Sequence, residues 1–229
     1  MEPKNELNQE PETEIKEEQK QKKKSNKLVE VVMLLLFVGV IAGYIFYTKG
    51  MVKPVVSVNG TELTVGMTVQ ELVDAGFTVG DSIVGSGDLN LDAQPQIPGE
   101  SYTSVFYYVY TKDQNGFEEY ANVVFHVYNE SVNSVDFKDS RIYAFRYDPS
   151  YDFGKTSVLV NGIDFAGLDK AEAVAALEEI GIKFDAGKKD EFLNGGSHIV
   201  FGKSGDYSYM IETDTQGDTV VNIEAKRNV

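Results

Sequence analysis

Hydrophobic positions divide this chain into three stretches of different character. The first 27 residues contain hardly any apolar side chains, residues 28–47 are almost wholly apolar, and the remainder alternates short apolar runs with polar turns. A stretch as polar as the first cannot bury enough surface to offset the entropy lost on ordering. Residues 1–27 are therefore predicted to be a disordered tail.

The apolar stretch from Leu28 to Tyr47 predicts a single transmembrane helix. Twenty helical residues span about 30 Å, the thickness of the hydrocarbon core of a bilayer. Lysines close to a span resist translocation, and here they cluster before it. These lysines are Lys20, Lys22, Lys23, Lys24 and Lys27. The sequence thus predicts a single-pass cell-membrane protein with a cytoplasmic N-terminus, a linker at 48–54 and an extracytoplasmic C-terminal region.

A cleaved signal peptide is the competing interpretation of the same segment. Val40-Ile41-Ala42 offers an imperfect small-residue cleavage site. However, the polar leader is 27 residues long, and the apolar run continues past this site through Ile45 and Phe46. We therefore expect an uncleaved anchor.

Beyond the anchor, the pattern predicts an internal duplication. The segment VVSVNGTELTVGMTVQELVDAGF begins at Val55, and SVLVNGIDFAGLDKAEAVAALEEIGI begins at Ser157. In each copy a β-branched run meets Asn-Gly, which is a strong hairpin signal because a type I′ turn needs positive φ at both central residues. We place the first extracytoplasmic unit at 55–149 and the second at 150–229.

Each predicted hairpin precedes a predicted helix with matching end signals. A capping box requires a hydroxyl or carboxylate side chain at the N-cap and Glu three residues later. Glycine then suits the left-handed position that closes the helix. The paired signals are Thr68 with Glu71 and Gly76 in the first copy, and Asp169 with Glu172 and Gly181 in the second.

Alternating apolar segments after each helix predict an antiparallel meander. The predicted strands are 103–110, 120–128 and 132–137 with an extra strand at 141–146, and then 198–201, 207–211 and 219–223. The predicted fold class is α+β, with two related units behind a single transmembrane helix. Each unit contains a β-hairpin, one helix and an antiparallel meander, with the helix packed across the sheet.

The charge balance changes at the anchor. Residues 1–53 carry nine lysines and eight glutamates, whereas residues 54–229 carry twelve Lys and Arg against twenty-eight Asp and Glu. The second part therefore has a net charge of −16. Such a surface repels nucleic acid and favours solubility, divalent cations or basic partners, and a solvated acidic surface is the favoured interpretation. The chain has no cysteine, so its stability must come from a packed core, and we infer a bacterial cell envelope as its setting.

The segment Gly66-Met67-Thr68, followed by Glu71-Leu72 and Gly76, resembles the opening of bacterial envelope lipoproteins of the SmpA/OmlA type. Its counterpart in the second copy is Gly167-Leu168-Asp169. The tandem arrangement of helix and meander is also similar to the beta-lactamase inhibitory protein family. Both resemblances imply an interaction module without enzymatic activity.

A search for catalytic chemistry finds no recognisable signature. The two histidines, His126 and His198, fall in predicted strands of different units, where a partly buried structural role is expected. The sequence has no Gly-x-Ser-x-Gly elbow and no phosphate-binding loop. We therefore predict neither enzymatic activity nor a cofactor.

One group of oxygen ligands merits comparison with a calcium loop. Asp88, Asn90 and Asp92 stand at alternate positions, as calcium ligands do. Ala93 replaces the glycine that such a loop needs for its turn, and Gly99 replaces its final glutamate. A polar loop or strand is favoured over a metal site.

Aromatic residues provide the best candidate for a binding surface. They crowd one predicted hairpin, and both faces of its strands are apolar or aromatic. One face must meet the core, so the other is a candidate platform for a protein or a glycan. The alternative, which is favoured, is that the second unit covers this face and the rings are structural. The candidate binding residues are Phe106, Tyr108, Tyr110, Tyr120, His126 and Tyr128. The long irregular segment 80–101 is a second candidate for partner contact.

These observations predict a membrane-anchored extracytoplasmic module that binds or assembles with another protein of the envelope. The partners expected are the membrane, through Leu28 to Tyr47, and an envelope protein or a glycan. A glycan or small-ligand sensor is the first alternative. An envelope hydrolase is the second, since a pair of carboxylates among so many acids carries little information.

Overall fold

The computed structural model describes most of the chain after the predicted anchor. The described residues are 33–40, 50–82, 89–113, 115–151, 156–184, 191–192, 198–214, 216 and 219–228. Residues 33–40 are helical, and within the described ranges no helix is both long and apolar enough to cross a membrane. The predicted tail and the rest of the predicted transmembrane segment lie outside these ranges. Residues Gly50–Val229 form one compact unit.

The compact unit combines short helices with antiparallel sheets, which confirms the predicted α+β class. Its helices are α1 (Val69–Asp74) and α2 (Lys170–Glu179), and short 3-10 turns occur at Leu91–Ala93, Phe137–Asp139 and Pro149–Tyr151. Its strands are β1 (Val55–Val58), β2 (Thr61–Thr64), β3 (Thr78–Gly80), β4 (Ser101–Tyr102), β5 (Tyr107–Lys112), β6 (Glu118–Asn129), β7 (Arg141–Tyr147), β8 (Val158–Val160), β9 (Lys183–Phe184), β10 (Glu191–Phe192), β11 (His198–Ser204), β12 (Tyr207–Thr213) and β13 (Val220–Arg227).

Two antiparallel sheets run across the position predicted to separate the two units. The large sheet has ten strands in the order β10-β11-β12-β13-β7-β6-β5-β3, with β4 paired to β6 and β9 paired to β11. The small sheet has the order β2-β1-β8. Strands from before and after residue 149 are thus neighbours in both sheets, at β7 with β13 and at β1 with β8.

Both Asn-Gly turns have the backbone conformation predicted for them. Asn59 and Gly60 have φ values of 51° and 83°, and Asn161 and Gly162 have 51° and 81°. The first turn joins β1 to β2 as a full hairpin. The second is followed only by an isolated bridge between Val160 and Ile163, so the second hairpin is much reduced.

Both predicted capping boxes are present. The Thr68 side chain accepts a hydrogen bond from the backbone of Glu71 at 3.1 Å, and the Thr68 backbone donates to the Glu71 carboxylate at 2.7 Å. Asp169 and Glu172 repeat this exchange at 2.9 and 3.1 Å. Because each box pairs two N-terminal donors within a few residues, local sequence is sufficient to predict where these helices begin.

One predicted strand is wrong. Residues 132–137 form a turn, a single bridge at Val135 and the beginning of a 3-10 turn. The reason is local, because the Asn129 side chain accepts from the backbone of Ser131 at 2.9 Å and donates to the carbonyl of Asn133 at 2.7 Å. In place of the strand predicted at 132–137, β7 pairs directly with β6; β7 was predicted as an extra strand at 141–146.

The core lies on one face of the large sheet. Both helices contribute to it, through Leu72 of α1 and Leu177 of α2. We call this face of the sheet the inner face and the opposite one the outer face. Fully buried inner-face side chains are Val109, Val123, Phe125, Val127, Phe145, Tyr209, Ile211, Ile223 and Ala225.

Part of the predicted linker is bound to the compact unit. The backbone of Val52 donates to the hydroxyl of Ser204 at 2.7 Å, and its carbonyl accepts from the hydroxyl of Tyr209 at 2.9 Å. The Asn161 side chain donates to the carbonyl of Lys53 at 2.8 Å. Residues 52–53 are therefore held by side chains that lie far away in sequence.

Candidate binding surface

Strand β6 carries core and surface side chains on its two faces. Phe125 and Val127 are fully buried on the inner face, whereas His126 and Tyr128 are only partly buried on the outer face. The alternation follows from the period of two along a strand. Two residues of the predicted binding platform, His126 and Tyr128, therefore lie on the face opposite the core.

Five aromatic rings gather on the outer face, and we call them the ring cluster. Phe106 and His126 have ring centroids 3.9 Å apart. Tyr143 lies between the other rings, with its centroid 5.7 Å from Tyr102, 5.8 Å from His126 and 6.3 Å from Tyr128. Tyr102 is 64% exposed and presents the most accessible ring. The three pairs that Tyr143 makes fall within the range of about 4.5–7 Å that aromatic quadrupoles favour.

The ring cluster thus contains three residues that were predicted from the sequence as binding residues and two that were not. Phe106, His126 and Tyr128 belong to the ring cluster, together with Tyr102 and Tyr143. Tyr102 arrives through the pairing of β4 with β6, directly opposite Tyr128. Tyr143 stands where the β6–β7 register shifts. Aromatic composition was the only available sequence signal, because neither register could be read from the sequence.

The remaining three predicted site residues form a second group of rings. Tyr120 lies 5.6 Å from Tyr108 and 5.9 Å from Tyr110 between ring centroids. Tyr110 is only 2% exposed, and its hydroxyl donates to the carbonyl of Ser82. Burial, followed by neighbouring Tyr108, raises the pKa of Tyr120 above its usual range. Tyr110 therefore ties the loop after β3 to the sheet and is not available to a partner.

Two pairs of opposite charge lie beside the ring cluster, and Arg141, directly opposite Tyr128, donates to the carbonyl of Gly66 at 2.6 Å. Arg146 lies 3.5 Å from the Glu212 carboxylate, which also accepts from the side chain of Asn222 at 3.0 Å. Lys226 lies 3.5 Å from Glu224. These pairs leave the centre of the outer face close to neutral, although residues 54–229 as a whole are strongly acidic.

His126 is the titratable group at the centre of the ring cluster. Burial lowers the pKa of its imidazole. The Glu224 carboxylate and the backbone at Thr103 and Val105 favour the protonated form, and the Lys226 ammonium opposes it. Desolvation is the largest of these effects, so the neutral imidazole is the form that the ring cluster stabilises.

We expect the protein to lose stability as the pH falls through the range where His126 titrates. The pKa is lower in the folded than in the unfolded state, so the unfolded chain binds more protons between the two values. The loss therefore begins near the unfolded pKa of about 6.5 and is complete below the folded pKa. His126→Gln should remove this part of the slope of melting temperature against pH. His198→Gln is the control and should retain it; a wild-type slope in His126→Gln would contradict the prediction.

The residues compared with a calcium loop have other roles where they are described. Asn90 precedes the 3-10 turn Leu91–Ala93, and the Asp92 carboxylate accepts from the ammonium of Lys138 at 2.6 Å. Asp88 lies outside the described residues. Within the part of the chain that the structure describes, no group of three or more His, Cys, Asp or Glu side chains could hold a metal ion.

No protein-family model, curated protein or solved structure matches this chain. The fold and the surface together describe an α+β protein whose large antiparallel sheet buries one face and leaves a partly exposed aromatic cluster on the other.

Proposed function

We propose that this chain is a membrane-anchored module of the bacterial envelope that binds another protein through the ring cluster and has no catalytic activity. The observation that carries the proposal is the position of five aromatic rings on the face of the sheet opposite the core. Tyrosine combines a large apolar area with a hydroxyl and is enriched where protein interfaces are strongest. An aromatic group of this size, partly exposed, is typical of a contact surface.

The rigidity of the platform supports this proposal. The strands that carry the ring cluster also supply Phe125, Phe145 and Val127 to the core. The backbone beneath the rings is therefore held by the packing on its other side, which lowers the entropy cost of presenting them to a partner. β4 and β7 position Tyr102 and Tyr143 through antiparallel pairing with β6.

The location is part of the same proposal and rests on the sequence. Leu28 to Tyr47 anchors the chain, the lysines before it keep the N-terminus in the cytoplasm, and the acidic part lies outside. The exterior part derives from two related units that are fused through shared sheets. Tethering such a module close to the membrane raises the local concentration of any partner that is itself anchored there.

A glycan sensor is the second candidate, and the exposure of Tyr102 is the observation that favours it. Aromatic ring faces are apolar surfaces onto which the apolar face of a sugar can stack, while tyrosine hydroxyls donate and accept hydrogen bonds. A glycan would contact the same ring cluster. The two candidate functions therefore differ in the chemical class of the ligand and not in the location of the site.

Site-specific photo-crosslinking tests the proposed protein-binding function. Replacing Tyr102 with the photoreactive residue p-benzoylphenylalanine, in the cells that produce the chain, should yield a discrete protein adduct on irradiation. Phe201 is the matched control, since it is 37% exposed on the outer face of β11, away from the ring cluster. Irradiation of the same probe at position 201 should give no such adduct. Failure to form an adduct at position 102, or equal adducts at both positions, would overturn the proposal.

A further inference from the structure

The two halves of the large sheet provide an internal comparison. One half has the strand order β3-β5-β6-β7 and the other has β9-β11-β12-β13, and the two meet where β7 pairs with β13. The backbone of Ile142 donates to the carbonyl of Met67 at 2.8 Å, and that of Val220 donates to Leu168 at 3.0 Å. Each hydrogen bond joins the start of the last strand to the residue before the helix N-cap, so Ile142 and Val220 occupy equivalent positions in the two halves.

A register shift that occurs in both halves identifies which outer-face residues are equivalent. The register of β6 with β7 shifts between His126 and Val127, and that of β12 with β13 shifts between Glu212 and Thr213. His126 and Glu212 therefore occupy equivalent positions. Directly opposed residues lie on the same face of a sheet, which extends the correspondence to neighbouring strands.

The equivalent outer-face positions carry different chemistry. In the first half, four such positions hold rings of the ring cluster, all except Tyr102, and in the second half the same four hold aliphatic or acidic residues. The corresponding pairs are Phe106 with Ile199, His126 with Glu212, Tyr128 with Asp214, and Tyr143 with Val221. By contrast, Phe125 and Ile211 are equivalent on the inner face and both are apolar and fully buried, although Val127 there corresponds to the buried Thr213. The second half thus forms without aromatic residues at these four positions, although Phe201 lies elsewhere on its outer face. Folding alone therefore does not account for the ring cluster.

Electrostatics favours a cationic occupant for these rings. The faces of aromatic rings carry negative charge density and attract Lys and Arg side chains. The part of the chain that contains the cluster has a net charge of −16, which steers basic partners towards it. Lys226, which acts on His126, is paired with Glu224, and Glu224 also acts on Tyr143. Arg141 stands directly opposite Tyr128, and its side chain donates to the carbonyl of Gly66 at 2.6 Å.

Building on the proposed function, we propose that the ring cluster binds a basic segment of the partner protein, with Lys or Arg side chains against the rings, and that the second half of the sheet takes no part in binding. Binding then requires one partner segment per chain. The role of the second half is to complete the sheet on which the first half depends.

Titration of the full-length chain in a mild detergent tests this inference. The probes are a (Lys-Gly)₃ peptide, a (Glu-Gly)₃ peptide of equal length and chitotetraose, followed by calorimetry. The lysine peptide should bind with a measurable Kd, and the double variant Tyr102→Ala, Tyr143→Leu should weaken it about tenfold. Phe201→Ala, in the second half, should change the Kd by less than about twofold.

Each other outcome would overturn the inference in a distinct way. Binding of the glutamate peptide or of chitotetraose alone would show the ligand chemistry to be wrong. If Phe201→Ala weakened binding as much as the double variant, the claim that only the first half binds would be wrong. If the double variant still bound the lysine peptide tightly, net charge and not the rings would account for the binding. An absence of binding by all three probes would also overturn it. The photo-crosslink at position 102 tests the proposed function separately, and its outcome does not depend on any of these results. Melting temperatures verify that each variant is folded.

Discussion

Replacing Ala225 with proline is expected to lower the free energy of unfolding by about 3 kcal/mol or more. Ala225 is fully buried in β13, a strand paired with β12 on one side and with β7 on the other. Proline removes a backbone donor and is found almost only on edge strands. Because β13 and β7 join the two halves of the sheet, we expect both halves to lose stability together in one transition during urea unfolding followed by circular dichroism.

The control for this substitution is Glu62→Pro. Glu62 is exposed in β2, at the edge of the small sheet, opposite Ser57. The two-residue turn makes this a pair that exchanges no backbone hydrogen bonds, so the lost donor faces solvent and the cost should be much smaller. Two separate unfolding transitions, or a loss from Ala225→Pro no larger than that from Glu62→Pro, would contradict the continuous sheet.

Substituting Asn129 with alanine is expected to lower the free energy of unfolding by about 2–3 kcal/mol. Asn129 is only 2% exposed, and its amide donates to the carbonyls of Ile97, Pro98 and Asn133 at 3.0, 3.0 and 2.7 Å. Its side-chain oxygen accepts from the backbone of Ser131. Alanine would remove all four of these hydrogen bonds at once, each of which contributes about 0.5–1.5 kcal/mol. The carbonyls of Ile97 and Pro98 would keep their bonds from the backbone of Val135 and the hydroxyl of Ser101.

The control is Gln96→Ala in the same loop. Gln96 donates to Asp136 at 2.9 Å, but this pair is exposed, so its loss should change stability by less than about 0.5 kcal/mol. Limited proteolysis should then cut near Ile97 in Asn129→Ala and not in Gln96→Ala. Equal stability of the two variants would show that Asn129 does not hold this loop in place.

Local features were predictable from the sequence because each depends on a few neighbouring residues. The Asn59-Gly60 and Asn161-Gly162 turns need positive φ at both positions, and few residue pairs tolerate that conformation. The capping boxes at Thr68 and Asp169 satisfy donors within one helical turn. Glycines at 76 and 181 adopt positive φ for the same kind of reason.

The candidate site was predictable only in part. Aromatic alternation identified this hairpin, in which His126 and Tyr128 of β6 lie together with Phe106, the residue before β5. Burial of Tyr110 could not be predicted, because it depends on the approach of the loop at Ser82. The position of Tyr143 in the ring cluster depends on the register shift between β6 and β7. A shift of one residue in register moves a side chain to the other face of a sheet.

The sequence by itself determined the short-range features of this protein: the apolar segment 28–47, the acidic composition beyond it, the paired Asn-Gly turns and the helix caps. These depend on composition or on contacts within about one turn of chain. Only the tertiary structure decided that β7 pairs with β13, that β1 pairs with β8, and that five rings meet on the outer face. Pairings between distant strands depend on burial and register summed over the whole sheet, and no local segment carries that information.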